Sequence, residues 1–371
     1  MEHYGGDKGA ERDDAGARMN GRWAGWRRSG VVLSVALAFL LAAGPRVRPW
    51  TGNVVLPDVP RDPAALDAWI AAGERRAGPL RPDTGARIVW ADPVHPARTA
   101  CAMVYLHGFT ASQGEGFPAH RDLARLFGCN LYLSRLPGHG LRAPDAMRGL
   151  SAARLMQGAA TALAVGRAIG DRVIVIGTST GGALALALAA QQPQAVSALV
   201  LWSPLVRERG NQLDPLLWPW GTSLMWLVHN HGQDVTHEPA LGPVWTGDVH
   251  LDGYVALAEL TRGLMTDDVF RQVTAPVFMG YYDRDPDHQD PTVSVAAMRK
   301  MYDRLATPDT LRRRVDFPDA DTHVIASSLR SHAAAAVCRA TQAYLHDVVG
   351  LPYAPGVDIG LCDAIRPDIV P

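Results

Sequence analysis

The chain has 371 residues, 47% of them apolar, with 36 basic and 37 acidic side chains giving a formal net charge of -1. That length suits one large α/β domain with an insertion, and the apolar content excludes an extensively disordered chain. Charges that nearly cancel, with no long run of either sign, exclude the electrostatic footprint of a nucleic-acid binder.

Residues 1–30 are polar and rich in glycine and arginine, ending in GRWAGWRRSG. An uncharged apolar run follows, VVLSVALAFLLAA, from Val31 to Ala43. It is short for a membrane span but suits the apolar core of an export signal, and Arg22, Arg27 and Arg28 favour an N-terminus kept inside. Residues 31–44 therefore read as a signal or an uncleaved membrane anchor, with possible membrane association through that segment. A cleavage site is poorly formed, because Ala42-x-Gly44 runs straight into Pro45. The rest of the chain is then expected outside the cytoplasm, on the periplasmic or extracellular side, with a cytoplasmic location as the alternative. Residues 45–84 read as a linker or N-terminal extension.

From about Ala86 short β-like runs alternate with helical ones. RIVWA, CAMVYLHG, CNLYLSRL, RVIVIGTS, SALVLWS, PVFMGYY and RRRVDFP are the strand candidates, several of them apolar almost throughout. Such runs suit parallel strands covered on both faces, and the alternation predicts a doubly wound α/β sheet over residues 85–348. The rhythm breaks after Pro204, where a long stretch passes before the next strand. This stretch, 205–270, holds Trp218, Trp220, Trp226 and Trp245 at the C-terminal end of a strand, the usual place for a lid. Residues 349–371 form a C-terminal tail. Cys101, Cys129, Cys338 and Cys362 lack metal-ligand spacing. Cys338 and Cys362 either staple the tail to the body or remain buried thiols.

The chemistry gathers around Gly177-Thr178-Ser179-Thr180-Gly181, directly after the strand RVIVIG and before a helical run. A serine on such a tight strand-to-helix turn is exposed for attack, with helix N–H groups beside any developing negative charge. Glycine at 177 and 181 fits a turn where side chains would collide with neighbouring elements. Upstream, VYLHGF ends a strand with His107-Gly108-Phe109. His107 reads as a histidine that shapes the loop. His139, in the turn SRLPGHGL, competes as a base but reads better as a turn residue lining the rim.

YLHGFTAS, RLPGHG and GTSTGG, in this order and spacing, resemble the α/β-hydrolase superfamily, in particular its monoacylglycerol-lipase, lysophospholipase and carboxylesterase-like branch. The resemblance spans roughly Ala86 to Val348. It implies a mostly parallel sheet flanked by helices, a helical lid, and a triad in the order serine, acid, histidine. It also implies an oxyanion hole from the N–H groups of Phe109 and Thr180. The histidine belongs after the last strand, where VDFPDADTHVIA supplies His323; His332 and His346 fall in the following helix. For the acid, the loop after PVFMGYY offers Asp283, Asp285, Asp287 and Asp290. DPTVSV favours Asp290 as the residue before the next helix, although it lies far beyond its strand. Asp285 is the alternative, and Asp283 and Asp287 read as solvated loop charges.

The expected activity is cleavage of a carboxylic ester, lipid-like or acyl, through an acyl-enzyme and without a cofactor. The same triad also serves acyltransferases, amidases and peptidases, and a non-catalytic ligand-binding scaffold is the alternative of another class. No metal is expected. The aspartate loop with His288 lacks the glycine and terminal glutamate of an EF-hand, and His229, Asn230, His231 and His237 suit a polar lid surface.

Overall fold

The computed structural model describes Met1 and residues 32, 34–39, 42–237 and 240–367. The apolar runs become strands, each stopped by turn residues: β1 (Arg87–Val89), β2 (Thr99–Leu106), β3 (Asn130–Leu133), β4 (Gly170–Thr178), β5 (Ala198–Trp202), β6 (Val235–His237), β7 (Asp248–His250), β8 (Val277–Tyr281) and β9 (Arg312–Asp316). Seven of them make one sheet in the order β1-β3-β2-β4-β5-β8-β9. All of its pairings are parallel except β1 with β3.

Two-residue alternation along the strands divides the core between the sheet's faces. Ala102, Val104, Leu106, Val173 and Val175 join one apolar cluster, with helices α3 (Ala152–Ile169), α4 (Thr180–Gln191) and α5 (Leu251–Leu264). Met103, Tyr105, Ile174 and Ile176 join the other, with α2 (Ala119–Leu126) and α6 (Ala334–Asp347). Each fully buried aliphatic side chain contributes roughly 2 kcal/mol of transfer free energy. Two-sided burial is why these runs are apolar throughout. The strands also point their C-terminal ends the same way, so Leu106, Thr178, Trp202, Tyr281 and Asp316 deliver their loops to one rim.

Residues 45–84, read from the sequence as a linker or N-terminal extension, are packed onto the domain. Trp50 N–H donates to the Glu259 carbonyl at 3.0 Å, and residues Pro63–Ala77 form a helix, α1, that buries Leu66 and Ile70. Asp62 caps it, accepting from Ala65 N–H at 2.9 Å, with Pro63 at its first position. The polar segment 1–30 lies outside the described residues apart from Met1. Residues 32, 34–39 and 42 of the apolar run are helical, with Val32, Val35, Leu37 and Phe39 exposed. Among the described residues no helix is long and apolar enough to cross a membrane.

The insertion after β5 holds short helical turns, the antiparallel pair β6–β7 and then α5. Trp245 is buried in it, whereas Trp218, Trp220 and Trp226 turn outward. Two disulfides form, Cys101–Cys129 and Cys338–Cys362. The second ties the tail to α6, and Leu351, Cys362 and Ile365 are buried against the body.

Candidate active site

β4 ends at Thr178 and α4 begins at Thr180, so Ser179 must reverse the chain within one residue. It does so at φ 53° and ψ −116°, a region that costs a non-glycine residue of order 1–3 kcal/mol. The flanking glycines permit it. A Cβ on Gly177 would lie 2.5 Å from the Gly181 carbonyl, and one on Gly181 only 1.9 Å from the Leu106 carbonyl oxygen. The turn is also held by its backbone. Ser179 N–H donates to the Trp202 carbonyl at 3.1 Å, and the Ser179 carbonyl accepts from Ala183 at 3.1 Å and Leu205 at 2.9 Å. The first-turn N–H groups of α4, that of Thr180 included, have no partner within the helix.

The loop after β2 lies against this turn, since a Cβ on Gly108 would stand 3.3 Å from the Ser179 Cβ. His107 fixes the loop's shape. Its Nε2 accepts from Leu136 N–H at 3.1 Å, so Nδ1 carries the proton and donates to the Gly108 carbonyl at 2.9 Å. Burial holds its pKa well below the usual histidine range, which keeps it neutral. His139 is not the rim residue expected from the sequence. It is fully buried, packs edge-on against His107 and Phe109, and burial lowers its pKa to about 4. The Phe109 ring in turn meets Tyr254 on α5, which brings the insertion to the loop.

The structure brings Asp290 and His323 together. His323 Nδ1 lies 3.0 and 2.8 Å from the two carboxylate oxygens of Asp290, which is wholly buried. Asp290 Oδ1 also accepts from Thr292 and Val293 N–H, each at 2.9 Å. Burial works to raise the Asp290 pKa, but the charge and hydrogen bond of His323 and those two N–H groups hold it below the ordinary value. For His323, burial disfavours the charged ring, yet Asp290, followed by Glu115, raises its pKa. With Nδ1 facing a carboxylate, the other ring nitrogen is Nε2, and that atom is buried without a hydrogen-bond partner.

Asp285 does not reach His323. It sits on an exposed loop and holds its own neighbour, with His288 Nδ1 2.9 Å from its carboxylate. Asp283 is not a solvated loop charge, because its carboxylate is mostly buried and paired with Arg299. A bridge between Asp283 and Gln289 closes the loop on itself, and Asp290 N–H donates to the Tyr282 carbonyl at 3.1 Å. The excursion is thereby pinched off, and Asp290 lies beside the end of β8 despite its distance along the chain. Among the described residues no group of three His, Cys, Asp or Glu side chains is gathered for a metal, and His237 pairs with Asp248 instead.

One buried acid was not anticipated from the sequence. Glu115, in the turn Gln113–Gly116 after β2, is 2% exposed and sends its carboxylate under Gly108. The one signal for it is a charged residue between Gly114 and Gly116, which alone marks only a tight loop.

A strained serine on a strand-to-helix turn, with a carboxylate–histidine pair carried by loops after the later strands, defines the nucleophile-elbow class of α/β proteins. The model of the alpha/beta hydrolase family matches residues 103–340, and the chain belongs to that family. No curated protein sequence matches it. Among solved structures it is similar to the metagenome-derived lipolytic enzymes LipS and LipT, at 16% identity and TM-score 0.56 over 72% of this chain and 99% of that one. It is also similar to the Paleococcus ferrophilus monoacylglycerol lipase, at 13% identity and TM-score 0.51 over 71% and 98% of the two chains. A soluble variant of monoglyceride lipase from Saccharomyces cerevisiae gives 13% identity and TM-score 0.52 over 71% and 91%. At these identities the likeness is one of fold.

Proposed function

We propose that the protein is a serine hydrolase that cleaves carboxylic esters of lipid-like or acyl type. Ser179 attacks the carbonyl, His323 Nε2 takes its proton and returns it to the leaving alcohol, and Asp290 holds the imidazole. The N–H groups of Phe109 and Thr180 receive the oxyanion, and water releases the acyl group. The observation that carries the reading is the Asp290–His323 pair, whose one unpartnered nitrogen is buried at the rim where Ser179 is held in its strained turn.

Residues 205–270 act as a lid, a reading supported by the Phe109–Tyr254 contact and by buried Trp245. The lipase and monoacylglycerol-lipase neighbours, together with the apolar side chains of the insertion, favour an acyl substrate over a peptide. Two disulfides support a location outside the cytoplasm, since such bonds persist in oxidising compartments. The exposed apolar side chains near residues 32–39 support membrane association through residues 31–44. The test is labelling by a fluorophosphonate probe together with hydrolysis of p-nitrophenyl esters of graded chain length. Wild type should label and cleave, and Ser179→Ala should do neither. A folded wild type that takes no label and cleaves no ester would overturn the reading in favour of a binding scaffold.

A further inference from the structure

Glu115 is the one buried acid at the site with no part in the triad. Its carboxylate joins three elements. Oε2 accepts from Gly108 N–H at 2.7 Å and from the Tyr105 hydroxyl on β2 at 3.0 Å, and Oε1 accepts from Trp245 Nε1 at 3.3 Å. Tyr105 is tied on to Thr178, the residue before the nucleophile, at 3.0 Å between the two hydroxyls. Gly108 is squeezed between this carboxylate and the serine, since a Cβ there would stand 2.8 Å from Glu115 Oε1 and 3.3 Å from the Ser179 Cβ. Any movement of the carboxylate is therefore passed to the backbone that precedes Phe109.

Such a buried carboxylate needs a reason to exist. An apolar residue of the same size would leave the Gly108 and Trp245 N–H groups without partners, and an unpaired buried donor costs roughly 1–3 kcal/mol. A glutamine fails differently. Both carboxylate oxygens face N–H donors, so its amide nitrogen would oppose either Gly108 or Trp245. The two N–H groups call for an acceptor on each side, a need the carboxylate alone meets. The titratable groups acting on it are Tyr105 and His323, the latter from the loop after β9. Burial raises its pKa to about 7, opposed by Gly108 N–H and by the His323 charge. The influence is mutual, because Glu115 also favours the charged form of His323.

We propose that Glu115 is a positioning residue of this site: its carboxylate locks the Gly108 backbone behind Ser179 and ties it to the insertion through Trp245. The role in turnover rests on the serine-hydrolase reading, whereas the clamp does not. Trp245 is thereby the latch between insertion and oxyanion loop, so that closing the insertion and shaping the loop become a single event.

The full-length Glu115→Gln and Trp245→Phe variants test this. Each is read by NMR titration of histidine-labelled protein, by the rate of fluorophosphonate labelling, and by kcat and KM on a short p-nitrophenyl ester. In Glu115→Gln the His323 titration should move down by roughly half a unit to one unit, as expected on losing a negative neighbour. Labelling and kcat should fall about tenfold or more with KM near wild type, as for a misplaced oxyanion donor. Trp245→Phe removes one N–H and keeps the charge. It should slow labelling by roughly two- to fivefold and leave the His323 titration in place. A folded Glu115→Gln with labelling within about twofold of wild type overturns the proposal. Should Glu115→Gln fail to fold, unchanged labelling in Trp245→Phe overturns it alone. A wild type that neither labels nor cleaves sinks the hydrolase reading, and the His323 titration still decides whether Glu115 is coupled to that ring.

Discussion

Asp290→Asn distinguishes the two candidate acids, and the local hydrogen bonds determine how it acts. Oδ1 of Asp290 accepts two backbone N–H groups, from Thr292 and Val293, at 2.9 Å each. In the asparagine variant that position must stay the carbonyl oxygen, because an amide nitrogen there would face two donors. The NH2 group is therefore forced into the Oδ2 position, 2.8 Å from His323 Nδ1, nearer than the retained oxygen at 3.0 Å, which already accepts two N–H groups. The tautomer with Nδ1 accepting is then favoured, the ring proton moves to Nε2, and the nitrogen that should take the Ser179 proton already carries one. The shape is kept and the tautomer is wrong. A loss of this kind is worth about 10⁴ in kcat, or about 5.5 kcal/mol of barrier at roughly 1.4 kcal/mol per tenfold. The assay is kcat on a p-nitrophenyl ester at pH 8, with far-UV circular dichroism to show that each variant folds. Asp285→Asn is the control and should stay within about twofold of wild type, because surface positions away from the chemistry change little. An Asp290→Asn enzyme within tenfold of wild type, or an Asp285→Asn enzyme that falls as far, would refute the assignment.

Other outcomes follow from the same geometry. The kcat/KM profile needs neutral His323, and since its folded pKa is raised, activity should be lost as pH falls through a value above the ordinary 6.5; an acid limb centred below 6.5 contradicts this. The stability contributed by charging His323 changes over the same window in the opposite sense, being fully present below the unfolded histidine value and lost as pH rises through the folded one, whereas the Asp290 contribution is lost only as pH falls through its own lowered value. Gly181→Ala drives a Cβ to 1.9 Å from the Leu106 carbonyl on β2, so it should cost about 1–3 kcal/mol by chemical denaturation and abolish ester cleavage. Gly73→Ala, within α1 and 3.9 Å from its nearest neighbour, should instead stabilise by up to about 1 kcal/mol and leave activity intact. Replacing Cys338 and Cys362 by serine opens a 24-residue separation and should lower stability by about 3 kcal/mol in denaturant melts.

How much of this was legible in the sequence depends on how local each signal is. The sheet could be read directly, because Val173 to Ile176 and Met103 to Leu106 are apolar on both faces and only a covered parallel strand requires that. Ser179 was readable for a steric reason, since Gly177 and Gly181 are fixed by contacts with backbone that no side chain can relax. α1 has a local signal in Asp62-Pro63, a capped helix start, but no neighbouring strand run says where that helix packs, and the sequence gives only a linker or N-terminal extension there. The Cys101–Cys129 pair needed sheet order, which spacing does not contain. Only when β2 pairs β3 with Ala102 opposite Asn130 do the preceding cysteines become neighbours. The acid needed a loop path. Four aspartates in eight residues are chemically equivalent as letters, and the fold-back at Asp283 and Gln289 selects the last by returning it to Tyr282. Glu115 is the limiting case, because its partners come from β2, the loop beyond it and residue 245 of the insertion. A residue whose meaning lies wholly in distant contacts has no local pattern to betray it, and that is where a positioning group for a nucleophile is expected to hide.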